Sequence, residues 1–125
     1  MNRKKIAVID FDGTIAEHKF PRIGKAMPQA FEVMKELQDE GWVLVLWTCR
    51  ENEGSNISKQ YLREAVEFCK DNGIEFDGIN ETPKEFEFRS EKGLNRKAYG
   101  DVYIDDRNLG GFPGWKAVRK ELIGG

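Results

Sequence analysis

Apolar and polar positions follow two different periods along this chain, and the switches between them predict its elements. Ile6, Ala7, Val8 and Ile9 form an unbroken apolar run, and residues 42–47 form another. Runs this short, bounded by polar or turn residues, read as strands buried on both faces. Residues 74–79 make a weaker third run and residues 101–104 a fourth. Between the first two the spacing becomes three and four: Ala30, Val33, Met34 and Leu37 predict a helix that opens at Pro28 and closes at Gly41. Tyr61, Leu62, Ala65, Phe68 and Cys69 predict a second helix, capped by Ser58 and ended by Gly73, and residues 115–123 predict a third. Residues 95–99 read as a single helical turn, whereas 16–27 and 80–94 read as polar loops. Phe31, Met34 and Cys69 fall on inward stripes and are assigned to the core. Strands alternating with helices imply a parallel sheet of about four strands covered on both faces, an α/β/α sandwich in a single domain over residues 1–125.

The strands are predicted to end in chemistry. The first runs into Asp10, Asp12, Gly13 and Thr14, the second into Thr48, Cys49 and Arg50, and the fourth into Asp105, Asp106 and Arg107. In open α/β sheets the carboxyl ends of the strands face the ligand crevice, so Asp10 and Asp12 are expected to converge on one small volume. Two carboxylates held that close repel each other unless a shared proton or a cation offsets the charge. An all-oxygen donor set beside a phosphate-bearing substrate favours a hard ion such as Mg2+. Gly13 allows a sharp turn, and Thr14 is expected to hydrogen-bond the aspartates from behind. The competing reading is local, since Asp-x-Asp-Gly is also ordinary turn chemistry. Partners elsewhere in the chain decide between the two.

Composition narrows the remaining classes. The 20 basic and 22 acidic side chains give a net charge of −2 and a pI near 5.5, with no global attraction to nucleic acid or to an anionic membrane surface. Cys49 and Cys69 with a single histidine, His18, supply neither a disulfide framework nor a four-ligand zinc site, and both cysteines are expected to be reduced. Arg3, Lys4 and Lys5 precede an apolar stretch too short for a signal peptide, and no run approaches the roughly 20 apolar residues that span a bilayer. A cytoplasmic location without membrane partners is the expectation.

The ordered set Asp10-Phe11-Asp12-Gly13-Thr14, Thr48, Lys97, then Asp105-Asp106, resembles the four motifs of the haloacid dehalogenase (HAD) superfamily of phosphohydrolases, over essentially the whole chain. The resemblance implies a Rossmann-like fold and a Mg2+-dependent phosphatase. Asp10 would be the nucleophile that takes the phosphoryl group, and Asp12 would protonate the leaving oxygen and later deprotonate water. Thr48 would hydrogen-bond the phosphoryl oxygens. Lys97, chosen over Lys92 and Arg96 for its separation from Asp105, would neutralise charge. Metal contacts would come from Asp10, the Asp12 backbone carbonyl, Asp105 and Asp106. Arg50 and Arg107 flank the site and are assigned to an anionic group of the substrate, with pairing to Glu51 or another surface acid as the alternative. His18, on the loop after the first motif, is a candidate substrate contact.

An acid at position 12 points to phosphoryl transfer rather than carbon–halogen chemistry in this superfamily. The loops at 16–27 and 80–94 are too short for a cap domain, so the member resembled is capless, its site open to a bulky substrate or covered by a second copy in a homo-oligomer. The substrate is expected to be a small phosphorylated molecule or a phosphorylated macromolecule. Arg50-Glu51 and Asp105-Asp106-Arg107 also resemble the phosphatase half of polynucleotide kinase/phosphatases, which makes 3′-phosphorylated nucleic acid ends the alternative substrate, against the acidic pI. A receiver-like signalling module is the alternative from another class; in receivers the lysine comes last, whereas here an acidic pair follows it.

Overall fold

The structure is a computed structural model and describes residues 4–54, 59–83 and 100–124. The elements are β1 (Ile6–Ile9), α1 (Ala30–Asp39), β2 (Val43–Leu46), α2 (Tyr61–Asp71), β3 (Gly78–Ile79), β4 (Val102–Ile104) and α3 (Trp115–Leu122). All four strands are parallel, in the order β3-β2-β1-β4. This is a small Rossmann-like α/β fold, with no cap domain among the described residues and no helix long and apolar enough to cross a membrane.

The central strands are apolar throughout because both of their faces are covered. Ala7, Ile9, Leu44 and Leu46 point into one cluster with Ala30, Val33, Met34 and Leu37 of α1, Ala65 and Cys69 of α2, and Trp115 and Val118 of α3. Ile6, Val8, Val43 and Val45 point the other way and are buried with Trp47 and Tyr103 packed partly against them. The described helices therefore share one face of the sheet. Burial pushes the Cys69 thiol up to about 12, consistent with its placement in the core.

Helix ends account for most differences from the expected boundaries. Pro28 lies outside α1, whose first turn is preceded instead by Gln29 with a positive φ of 65°. The Ser58 cap expected for α2 lies outside the described residues. At the other ends Gly41 and Gly73 take φ of 92° and 90°, and the Trp42 and Ile74 N–H groups reach back to the carbonyls of Leu37 and Cys69. That paired closure is a Schellman motif, and it seats Ile74 in the core as the end of a helix rather than the start of a strand. β3 is accordingly only two residues long, and the Leu44 N–H is taken by the Asp77 side chain at 2.9 Å.

The sheet grows from β1 through β2 to β3 in one direction, and β4 then adds on the other side of β1. The crevice at such a reversal is where an open α/β sheet binds ligands. Here it lies between the carboxyl ends of β1 and β4, tied together by the Asp10 N–H donating to the Ile104 carbonyl at 2.9 Å.

Candidate active site

Beyond β1 the chain turns within three residues. The Phe11 carbonyl accepts the N–H groups of Thr14, Ile15 and Ala16, with Phe11 itself fully buried. This tight turn leaves Asp10 and Asp12 facing the crevice. Among the described residues Thr14 does not support the aspartates as expected: its hydroxyl is buried with no hydrogen-bond partner there, while its carbonyl accepts the Trp115 indole N–H at 2.7 Å.

Oxygens of Asp10, Asp105 and Asp106 lie within 4.8 Å of one another. Burial first, then the charge of Asp105 and a hydrogen bond with Asp106, push the Asp10 carboxyl from 3.8 up to about 8. Three acids in so small a volume call for a proton or a cation, and an oxygen-only set suits a hard divalent ion. These residues therefore fit Mg2+. Two backbone features fix the cluster. The Arg107 N–H donates to Asp105 Oδ1 at 2.8 Å, and Gly13 sits so close to Asp106 that a Cβ there would lie 2.2 Å from Oδ2. Gly13 also has a φ of 86°, so Gly13→Ala strains the turn and displaces a cluster acid together. That variant is expected to bind Mg2+ about tenfold or more weakly by calorimetry; affinity equal to wild type would mean that Asp106 is not a ligand.

Asp12 faces a different partner. Arg50 Nε and Nη2 donate to its two carboxylate oxygens, each at 2.8 Å, with the Arg50 side chain only 1% exposed. The remaining Arg50 N–H groups donate to the carbonyls of Pro21, Arg22 and Tyr61. Its guanidinium carbon also lies 5.1 Å from the ring centres of both Phe11 and Phe20. All five guanidinium donors are thus committed. Arg50, expected at an anionic group of the substrate, here lines the cleft with its donors on Asp12 and the loop, and so orients Asp12 and ties the loop after β1 to the end of β2. The Asp12 carboxylate is turned to Arg50 and is not part of the Asp10, Asp105 and Asp106 cluster.

Thr48 follows β2 into the same crevice. Its N–H donates to Asn80 Oδ1 at 2.7 Å, and its Oγ1 accepts the Arg50 N–H at 3.1 Å. Accepting there leaves the hydroxyl proton free to donate elsewhere. Asp10, Asp12, Thr48, Arg50, Asp105, Asp106 and Arg107 all line one cleft of about 380 Å³, joined by His18, Phe20, Trp47 and Cys49. Arg107 and His18 are exposed at its rim. Lys97 and its competitors Lys92 and Arg96 lie outside the described residues.

No known family model matches this chain, and no curated protein sequence matches it. Its fold and sequence are similar to a solved structure of a conserved protein coded by a locus of Bacteroides thetaiotaomicron, at 40% identity and a TM-score of 0.81, over 97% of this chain and 91% of that one. The chain belongs to the same family as that Bacteroides protein. Kinship with the Bacteroides protein speaks to the fold, and the chemistry rests on the side chains of the cleft.

Two residues of the cleft, and Asn80 behind Thr48, carried no readable signal. Asn80 adopts a positive φ of 56° to bring its side chain under Thr48, in a stretch that reads as the start of a polar loop. Trp47 is the last letter of an apolar run, and Phe20 an isolated aromatic between charges. Only the folded arrangement places them beside the aspartates.

Proposed function

We propose that this protein is a capless phosphohydrolase of the HAD type, cleaving a phosphate monoester through an aspartyl-phosphate. The observation that carries the reading is the carboxyl cluster of Asp10, Asp105 and Asp106 at the β1/β4 crevice, with the Thr48 hydroxyl in the same cleft. Mg2+, held by those three carboxylates and the Asp12 carbonyl, would when bound neutralise phosphate charge and keep Asp10 ionised. Asp10 attacks phosphorus as the bond to the leaving oxygen breaks, and a proton reaches that oxygen from Asp12. A water molecule then gives its proton to the Asp12 carboxylate and attacks phosphorus, the bond to Asp10 breaks, and inorganic phosphate leaves. Arg50 keeps Asp12 at a fixed orientation through both steps, leaving each oxygen a further lone pair for the substrate or water. Thr48 donates its hydroxyl proton to a phosphoryl oxygen, and Lys97 is assigned the remaining charge.

Hydrolysis of an aryl phosphate with Mg2+ and with EDTA tests this reading. Metal-dependent turnover is expected, and Thr48→Val, which keeps the shape but loses the donor, is expected to lower kcat by about a hundredfold. Failure of every phosphate monoester tried, with Mg2+ bound, would overturn it in favour of a binding role.

A further inference from the structure

The mouth of the cleft differs in character from its floor. The floor is acidic, whereas Phe20 and Trp47 line the walls. Phe20 remains 48% exposed, and among the described residues the other exposed large hydrophobic side chain is the fully exposed Leu109. It is nonetheless held in place. Its ring lies over the Arg50 guanidinium at 5.1 Å and meets Tyr61 edge-on at 5.3 Å, and the next two carbonyls in the chain, of Pro21 and Arg22, accept from Arg50. Trp47 comes from the other side, since it packs against the cluster on the opposite face of the sheet from α2. Two aromatic side chains thus reach one cleft from opposite layers. Keeping a ring exposed in water while fixing its position costs free energy that a stacked ligand would recover.

We propose that this mouth selects phosphate monoesters that carry a planar ring close to the phosphate, a free nucleoside monophosphate being the type, which stack on Phe20 and Trp47 with the phosphate on the acidic floor. The assignment rests on the phosphohydrolase reading above and names its substrate class. Three features favour a small molecule over a polymer end. The cleft, at about 380 Å³, has room for one small ligand. Arg107 is exposed at the rim as a cation, without a hydrogen bond or ion pair from its guanidinium among the described residues. The chain is acidic overall, with a pI near 5.5. Because Phe20 rests on the arginine that holds Asp12, a ring stacked there also presses on the group that positions the proton carrier.

The test is calorimetric binding to the full chain carrying Asp12→Asn, which keeps all three carboxylates of the cluster, in Mg2+, with adenosine monophosphate, phenyl phosphate, glycerol phosphate and inorganic phosphate as probes. The ring-bearing ligands are expected to bind about tenfold or more tightly than glycerol phosphate, the stacking worth of one ring. Phe20→Ala added to that background should remove most of the difference and leave the Kd for inorganic phosphate unchanged, while Phe20→Tyr should preserve it. Equal affinities for all esters would overturn the proposal, as would a Phe20→Ala effect equal on every ligand, which would make Phe20 a support for Arg50 alone. A 3′-phosphorylated oligonucleotide binding more tightly than the mononucleotide would overturn the assignment to a free small molecule. Phosphate binding without ring preference sinks this inference alone; absence of binding by any phosphate sinks the phosphohydrolase reading with it.

Discussion

Asp10→Asn is expected to abolish turnover and, in the same protein, to raise the melting temperature measured in EDTA. The first effect follows from removing the proposed nucleophile, which costs on the order of 10⁴-fold or more in kcat where a covalent intermediate is obligatory. The second follows from the cluster itself. The Asp10 carboxyl is pushed up to about 8 by burial, by the charge of Asp105 and by its hydrogen bond with Asp106, so the folded protein holds that proton more tightly than the unfolded chain does. A folded value above the unfolded one contributes stability that is fully present below the unfolded value of 3.8 and is lost as pH rises through about 8. Asparagine carries no such proton. The melting-temperature difference between variant and wild type should therefore grow from near zero at pH 4 to its full size above pH 8, each ~1 kcal/mol recovered being worth about 3–5 °C for a domain of this length. Saturating Mg2+ should reverse the order, because the ion stabilises only the protein that binds it well. A difference that stays flat with pH would show that Asp10 is not strained by its neighbours, and residual turnover near the wild-type rate would remove it as the nucleophile.

How far the sequence foretold this molecule depends on the length scale at which each feature is decided. β1 and β2 were legible because burial on both faces demands an unbroken apolar run, and Ile6–Ile9 and Val43–Leu46 comply. The closing glycines of α1 and α2 were legible because the left-handed position excludes most other residues. β3 was not, since Ile74 is apolar for a reason other than strand formation: it closes the Schellman turn after α2. The acids of the cleft could be read because strand ends in a parallel sheet converge, a rule that needs no tertiary detail. The division of labour between the two arginines could not. Arg50 and Arg107 both follow closely on the ends of their strands, yet one is buried and fully hydrogen-bonded while the other is exposed. What separates them is the loop at 20–22 with the Phe20 ring, the first turn of α2 and the ring of Phe11, three pieces of chain that meet only after folding.

Arg50→Lys should accordingly be the most damaging conservative change in the chain outside the carboxyl cluster. A lysine ammonium has three donors on a flexible stem and cannot reproduce a planar fork that meets both Asp12 oxygens and three carbonyls. At least two of the five acceptors therefore lose their donor, at a cost of about 1–3 kcal/mol each. The melting temperature is expected to fall by about 10–20 °C at that cost. Lysine keeps the charge near Asp12 but not the two-point hold on it, so kcat should drop by about a hundredfold through misplacement of the proton carrier. A purely structural role would lower the amount of folded enzyme and leave the kcat of that folded fraction and its pH profile unchanged. An orienting role changes both, and it alters kcat more than KM because the donors that Arg50 offers are spent on Asp12 and the loop, not on substrate. The companion variant Asp12→Asn separates the contributions further. It should keep much of the fold, since an amide can still accept from Arg50 through its carbonyl oxygen, yet lose turnover as completely as Asp10→Asn. A substantial rate in Asp12→Asn together with a crippled Arg50→Lys would mean that Arg50 acts on the substrate after all.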